Sequence, residues 1–209
     1  MLSILKKELR YQVPWLPIGL IVFWLCWRVQ ESYSVLEFSY FMLPLIASGL
    51  LFNSQSEIEL IRISNTRLCN VLAIRYFVTY IYLSLPQAVW LLFIAGDNAP
   101  KEALTLLTTL LFITSISLLF RVLVKTPFAT IMLALLTHTI MAASFKLFLS
   151  ETIMLSNPKA IQRFTPYFAN TIKNDGVYGN NRLIVLGVTV FILLLSYFIA
   201  RRSDRFLVE

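Results

Sequence analysis

Charge is scarce in this sequence. Of its 209 residues only 14% are Asp, Glu, Lys or Arg, well under the usual quarter, while 58% are apolar. Mean hydropathy is +0.74. A soluble fold of this length cannot hide so much apolar surface, which excludes a soluble enzyme, a disordered protein and a nucleic-acid binder. Glycine occurs six times and histidine once. The first gives no filter-like glycine tract, and the second gives no metal set, since no carboxylate or cysteine lies beside it in sequence. Two cysteines, Cys26 and Cys69, sit in or beside apolar segments and outline no disulfide framework. The chain has no G-x-x-x-x-G-K-[ST], so it binds no ATP through a P-loop of its own. It shows no cleavable signal peptide, no glycine-flanked nucleophile serine and no aspartate within an apolar run. Its acids all fall at or beyond the ends of the apolar runs, so a proton- or ion-coupled machine lacks its usual carboxylate.

What is present is a series of apolar runs of membrane-spanning length, ~20 residues each. Six segments qualify, at 13–29, 36–53, 71–94, 104–124, 128–149 and 183–200. Pro44 and Pro86 are expected to kink the second and third, a distortion that neighbouring helices make tolerable in lipid. Six spans put both termini on one side. Lys and Arg are denser at the N-terminus, around 54–75, at 121–125 and at the C-terminus than on the opposite side, which places both termini in the cytoplasm. The net charge of +7 then reads as topogenic charge and attraction to anionic lipid.

Three pieces lie outside the spans. Residues 1–12 place Leu2, Leu5 and Leu9 on one stripe, with Lys6, Lys7 and Arg10 on the rest, the pattern of a short interfacial helix. Residues 54–70 carry two overlapping capping boxes, Ser54 with Glu57 and Ser56 with Glu59. Glu59 and Arg62 can pair at i, i+3, and Ser64-Asn65-Thr66 is turn chemistry. The apolar Ile58, Leu60, Ile61 and Ile63 in so short a stretch call for a membrane surface or a protein partner. Residues 150–182 are too long and too aromatic for a solvated connector. They are expected to form an outer lid of short pieces dipping into the leaflet, broken at Pro158 and Pro166, with Phe164, Tyr167 and Phe168 as its apolar contacts. Turns are expected at 174–176 and 179–181, before the last span.

Within the fifth span, Thr130, Thr137 and Ser144 recur every seven residues, and His138 and Met141 lie among them. The stripe permits close helix approach, dimerisation through the spans or a moderately polar path wall; the alternative is hydroxyl bonding to the i−4 carbonyls. For His138 the bland reading is a hydrogen bond between helices, and the sharper one is a role toward substrate or proton.

The run Ser56-Glu57-Ile58-Glu59-Leu60-Ile61-Arg62-Ile63-Ser64-Asn65-Thr66-Arg67 resembles the cytoplasmic segment of the ABC type-2 export permease family. There an acidic residue precedes an L-E-L-L-L run, a small turn and S/T-R. Glu59-Leu60-Ile61 and Thr66-Arg67 match, with Ser64-Asn65 where proline is frequent. The opening Leu5-Lys6-Lys7-Glu8-Leu9-Arg10 also resembles the start of that family. The resemblance implies an all-α polytopic membrane protein with six transmembrane helices, an N-terminal interfacial helix and a long outer loop before helix six. The whole chain, 1–209, is then one permease domain. It implies a coupling helix in which Glu57, Ile58, Glu59, Leu60, Ile61, Arg62 and Arg67 contact an ATPase. Two ABC ATPase subunits and a second permease are the expected partners, in a bacterial inner membrane. ATP and Mg are expected on the ATPase and no cofactor on this chain, which is not itself an enzyme. A different class of function uses the same residues: a non-transporting membrane adaptor or immunity protein docking a cytoplasmic partner through 54–70.

Overall fold

A computed structural model describes residues 2–12, 44, 46–51, 67–94, 99–124, 126–149, 162–167, 169 and 172–203. Among these, all regular structure is helical. The long elements are α1 (Leu2–Gln12), α2 (Leu68–Ile94), α3 (Ala99–Leu123), α4 (Pro127–Leu149) and α5 (Asp175–Ser203). The last four are long and apolar enough to cross a membrane, and they correspond to the expected spans three to six. The first expected span lies outside the described residues. Of the second, residues 46–51 are helical and pack Ala47 and Leu51 into the core.

The ends of these helices follow from local chemistry. Pro100 and Pro127 stand in the first turns of α3 and α4, where a missing N–H costs nothing. Glu102 in the first turn of α3 and Arg121 in its last turn complement the helix dipole. α2 stays helical through Pro86. α5 corrects the expected turns. Asn174 Oδ1 accepts the Val177 N–H at 3.1 Å, an N-cap, and the first helical bond, Tyr178 N–H to Asn174 C=O, follows at 2.9 Å. The helix therefore starts eight residues before the expected 183, and residues 179–181 are helical rather than a turn. With 29 residues, α5 is about 43 Å long, more than a ~30 Å hydrocarbon core needs. Its additional turns carry the polar residues that build the site below.

α3 is the central element. Two-thirds (67%) of its apolar window is buried, against 22% for α4 and for α5. It packs against α2, α4 and α5. α2 lies antiparallel to it, with Tyr76 and Tyr80, one turn apart, donating to the Leu111 and Leu107 carbonyls, each at 3.3 Å. α5 runs parallel to α3, so their first turns meet at one end, and Leu118 and Ala200 share a core cluster near the other. Outward faces of α4 and α5 present Phe128, Leu136, Ile140, Phe191, Leu194 and Phe198, as expected of lipid-facing surface.

α1 forms as expected, with Leu5 and Leu9 exposed. Its other face corrects the reading of Glu8 and Arg75. Glu8 is buried, and Arg75, counted above among the flanking charges, lies two turns inside α2 and is fully buried. Arg75 Nη2 donates to Glu8 Oε1 at 2.6 Å, and its Nε reaches both carboxylate oxygens at 3.0 and 3.1 Å. A bidentate pair out of water is tolerable because each charge is matched by the other.

Removing one partner strands the other. Glu8→Ala or Arg75→Ala is expected to destabilise the protein by about 3–5 kcal/mol, whereas Glu8→Met with Arg75→Met is expected to be close to neutral. Thermal unfolding of the three variants in detergent checks this. Single variants as stable as the double would show that the pair is not desolvated.

Candidate functional site

At the end where α3 and α5 begin, polar side chains converge on residues 162–167, of which 162–164 are helical and 165–167 are not. Each contributor has a helical address. Thr105, Thr108 and Thr109 recur at i, i+3, i+4 on α3 and face α5. Tyr178, Asn181 and Arg182 recur at the same spacing on α5. All six are buried.

Arg182 is the hub. Its Nη1 donates to Thr108 Oγ1 at 2.7 Å and Thr109 Oγ1 at 3.4 Å, and its Nη2 to the Thr165 carbonyl at 3.2 Å and the Pro166 carbonyl at 3.5 Å. Its Nε donates to Asn181 Oδ1 at 2.8 Å, and Nη2 reaches the same oxygen. Asn181 Nδ2 in turn donates to the Gln162 and Thr165 carbonyls, each at 2.8 Å. Thr109 Oγ1 gives its proton to the Pro166 carbonyl at 2.7 Å, and Thr165 Oγ1 bonds the Tyr167 carbonyl at 2.5 Å. A threonine hydroxyl can accept from Arg182 and donate onward at once, so the network closes on itself. The Arg182 guanidinium also lies 5.8 Å from the centre of the Tyr178 ring. Beside this, Tyr178 Oη donates to the Lys101 carbonyl at 2.9 Å and lies 3.0 Å from Thr105 Oγ1. Lys101 Nζ crosses to the Ile172 carbonyl at 2.7 Å and to Asp175 at 3.3 Å.

The clamped segment carries Tyr167 inward to the middle of the helices. There His138 Nδ1 hydrogen-bonds Tyr167 Oη. Phe112, His138 and Tyr167 form a triangle of edge-on rings with centroids 6.2–6.4 Å apart. His138 is fully buried. The polar cluster is a latch: it holds an irregular segment within a helical bundle and seats one aromatic anchor at its base. Among the described residues no three His, Cys, Asp or Glu gather into a metal set.

The expected site residues distribute as follows. His138 and Tyr167 come together, one from the supposed path and one from the supposed lid. Phe164 is exposed. Phe168 lies outside the described residues, as do Glu57, Ile58, Glu59, Leu60, Ile61 and Arg62. Arg67 is exposed, and its carbonyl accepts the Asn70 and Val71 N–H groups, so it caps α2. Thr130 is buried and bonds the Thr126 carbonyl at 3.0 Å and the Val124 carbonyl at 3.3 Å, as the i−4 alternative describes. Thr137, Met141 and Ser144 are half-buried, with Met141 against the main core. Arg182, read above as a loop charge, is the central residue of the site. The signal for it was the matched i, i+3, i+4 spacing of Thr105-Thr108-Thr109 and Tyr178-Asn181-Arg182.

No family model, no curated protein and no solved structure matches this chain.

Arg182→Met is expected to take the Arg182 donors from Asn181 Oδ1 and one of two donors from each of the Thr165 and Pro166 carbonyls, which keep Asn181 Nδ2 and Thr109 Oγ1, at about 1–3 kcal/mol in all. Amide exchange across 162–169 should then rise roughly tenfold or more, with 68–85 of α2 unchanged. Equal exchange in both proteins would mean that the segment is held by packing alone.

Proposed function

We propose that this chain is the transmembrane permease subunit of an ATP-driven exporter, working with a second permease and two separate ATPase subunits. The observation that carries the reading is the junction at Arg67. The run with the capping boxes and the Glu59-Leu60-Ile61 and Thr66-Arg67 matches ends at Arg67, whose carbonyl caps α2. No linker separates the motif from a helix long enough to span the membrane. A push on the motif is therefore a push on α2.

From there the contacts give that push a route. α2 is tied to α1 through Arg75–Glu8 and to α3 through Tyr76 and Tyr80. α3 carries the threonines that hold the 162–167 segment at the opposite end. In this reading the α1 end is cytoplasmic, in a bacterial inner membrane. The latch then closes the outer end, and nucleotide-driven tilting of α2 and α3 strains it toward opening. A moderately apolar cargo (a peptide, a drug or a lipid-like molecule) suits a wall that offers threonines and aromatic edges.

A P-loop ATPase should copurify with the chain. Leu60→Ala combined with Arg62→Asp should leave ATP hydrolysis in place while export falls by about fivefold or more, the range of a typical coupling free energy. Copurification without any ATPase, and export unaffected by the pair of substitutions, would remove this reading in favour of an adaptor that docks a partner through 54–70.

A further inference from the structure

A groove of about 250 Å³ opens between α2, α3 and α5 at the α1 end. Its wall is almost wholly apolar, formed by Leu72, Ala73 and Phe77 on one side, Leu193 and Tyr197 on the other, and Leu118 at its base. Phe77 and Tyr197 are exposed at its edges. We propose that this groove is a binding site for one anionic phospholipid, an acyl chain lying in the slot and the phosphate meeting Arg67, Arg201 and Arg202.

The charge arrangement selects this occupant. Cys69 and Ala200 both line the groove and share one core cluster, which fixes the start of α2 against the end of α5. Two residues before Cys69 stands Arg67, and directly after Ala200 stand Arg201 and Arg202. All three are exposed. The slot is thus apolar along its length and cationic at one end, the mirror image of an acidic amphiphile. An apolar helix seated there would desolvate guanidinium groups without compensation. A free phosphate would gain nothing from the apolar wall. A zwitterionic lipid brings a cation of its own to the basic end. Arg75, at the same end of α2, is already occupied by Glu8, so the headgroup falls to the three outer arginines.

The site requires only that the chain be embedded in a membrane, so it stands or falls apart from the ATPase reading. Native mass spectrometry of the detergent-purified protein, with phosphatidylglycerol or phosphatidylcholine of the same acyl chains added, tests it. The unmodified protein should retain one phosphatidylglycerol about tenfold or more in preference to phosphatidylcholine, since each basic residue near an anionic headgroup contributes roughly a factor of five. Arg67→Gln with Arg201→Gln and Arg202→Gln should abolish that preference. Ala73→Phe and, separately, Leu193→Trp should lower retention of both lipids by filling the slot. Two independent slot variants and the headgroup comparison in unmodified protein keep the test decisive if one variant does not fold. Equal retention of the two lipids overturns the proposal. So does a loss in the arginine variant alone with both slot variants silent, which would mean diffuse attraction without a seat. A lipid-free dimer that the slot variants dissociate overturns it as well, making the groove a seam between two copies.

Discussion

A chain surrounded by hydrocarbon must satisfy every backbone N–H and C=O from within, because no water is there to do it. Helices meet the condition by themselves. Residues 165–167, which follow the helical 162–164, do not, and they are buried among helices whose cores are apolar. The carbonyls at 162, 165 and 166 are met by Asn181, Arg182 and Thr109, so this piece of irregular backbone exists only because those side chains exist. The dependence runs both ways. A guanidinium two turns inside an apolar helix is costly unless its donors find acceptors, and the segment's free carbonyls are such acceptors. Arg182 and the segment each remove the other's desolvation penalty. Tyr167 then reaches His138 because the clamp fixes the chain one residue earlier.

The opposite end solves the same problem with charge against charge. Glu8 and Arg75 satisfy each other bidentately, and the pair holds α1 against α2 at a depth of about 10 Å along that helix. The contrast has a mechanical consequence. The ion pair is a single strong contact between two regular helices. The latch spreads its hold over many bonds, from one guanidinium, one amide and a threonine hydroxyl to neutral acceptors, each contributing about 1–3 kcal/mol net. Spread bonds of that size can be lost in sequence, whereas the ion pair breaks as a unit or not at all.

The sequence made the helices legible and the polar contacts largely illegible. Apolar runs predicted α2, α3 and α4 to within a few residues, since in a membrane the hydropathy of a run and the existence of a helix are almost the same fact. α5 was misjudged at its start because Asn174, Gly176, Gly179 and Asn181 are turn residues by type. Asn174 acts instead as an N-cap, and a Cβ at Gly176 would stand 3.3 Å from the capping oxygen, so a larger residue there would crowd the cap. Arg75 and Arg182 escape a sequence reading because a lone arginine near a span end looks the same whether it snorkels to the headgroups or, as these two do, turns inward. Only a partner 67 residues away, or a row of threonines on another helix, tells the two apart. His138 was the exception. A single imidazole in a mostly apolar span needs a hydrogen bond between elements, and Tyr167 supplies it.

The distribution of burial says which parts of this structure can rearrange at least cost. Moving α3 breaks the tyrosine ties to α2, the threonine bonds to Arg182 and the Phe112 triangle together. α4 buries Thr130, Ala134, His138 and Ala142, with most of its apolar window outside the core. Its fixed point is the imidazole under Tyr167, and that contact depends on the clamp above it. Loosening the latch therefore loosens the His138 contact of α4 as well as the segment, with α3 left in place. The segment and α4 are joined through the Tyr167 side chain, so a change that reaches Arg182 through α3 also reaches α4 by way of Tyr167 and His138.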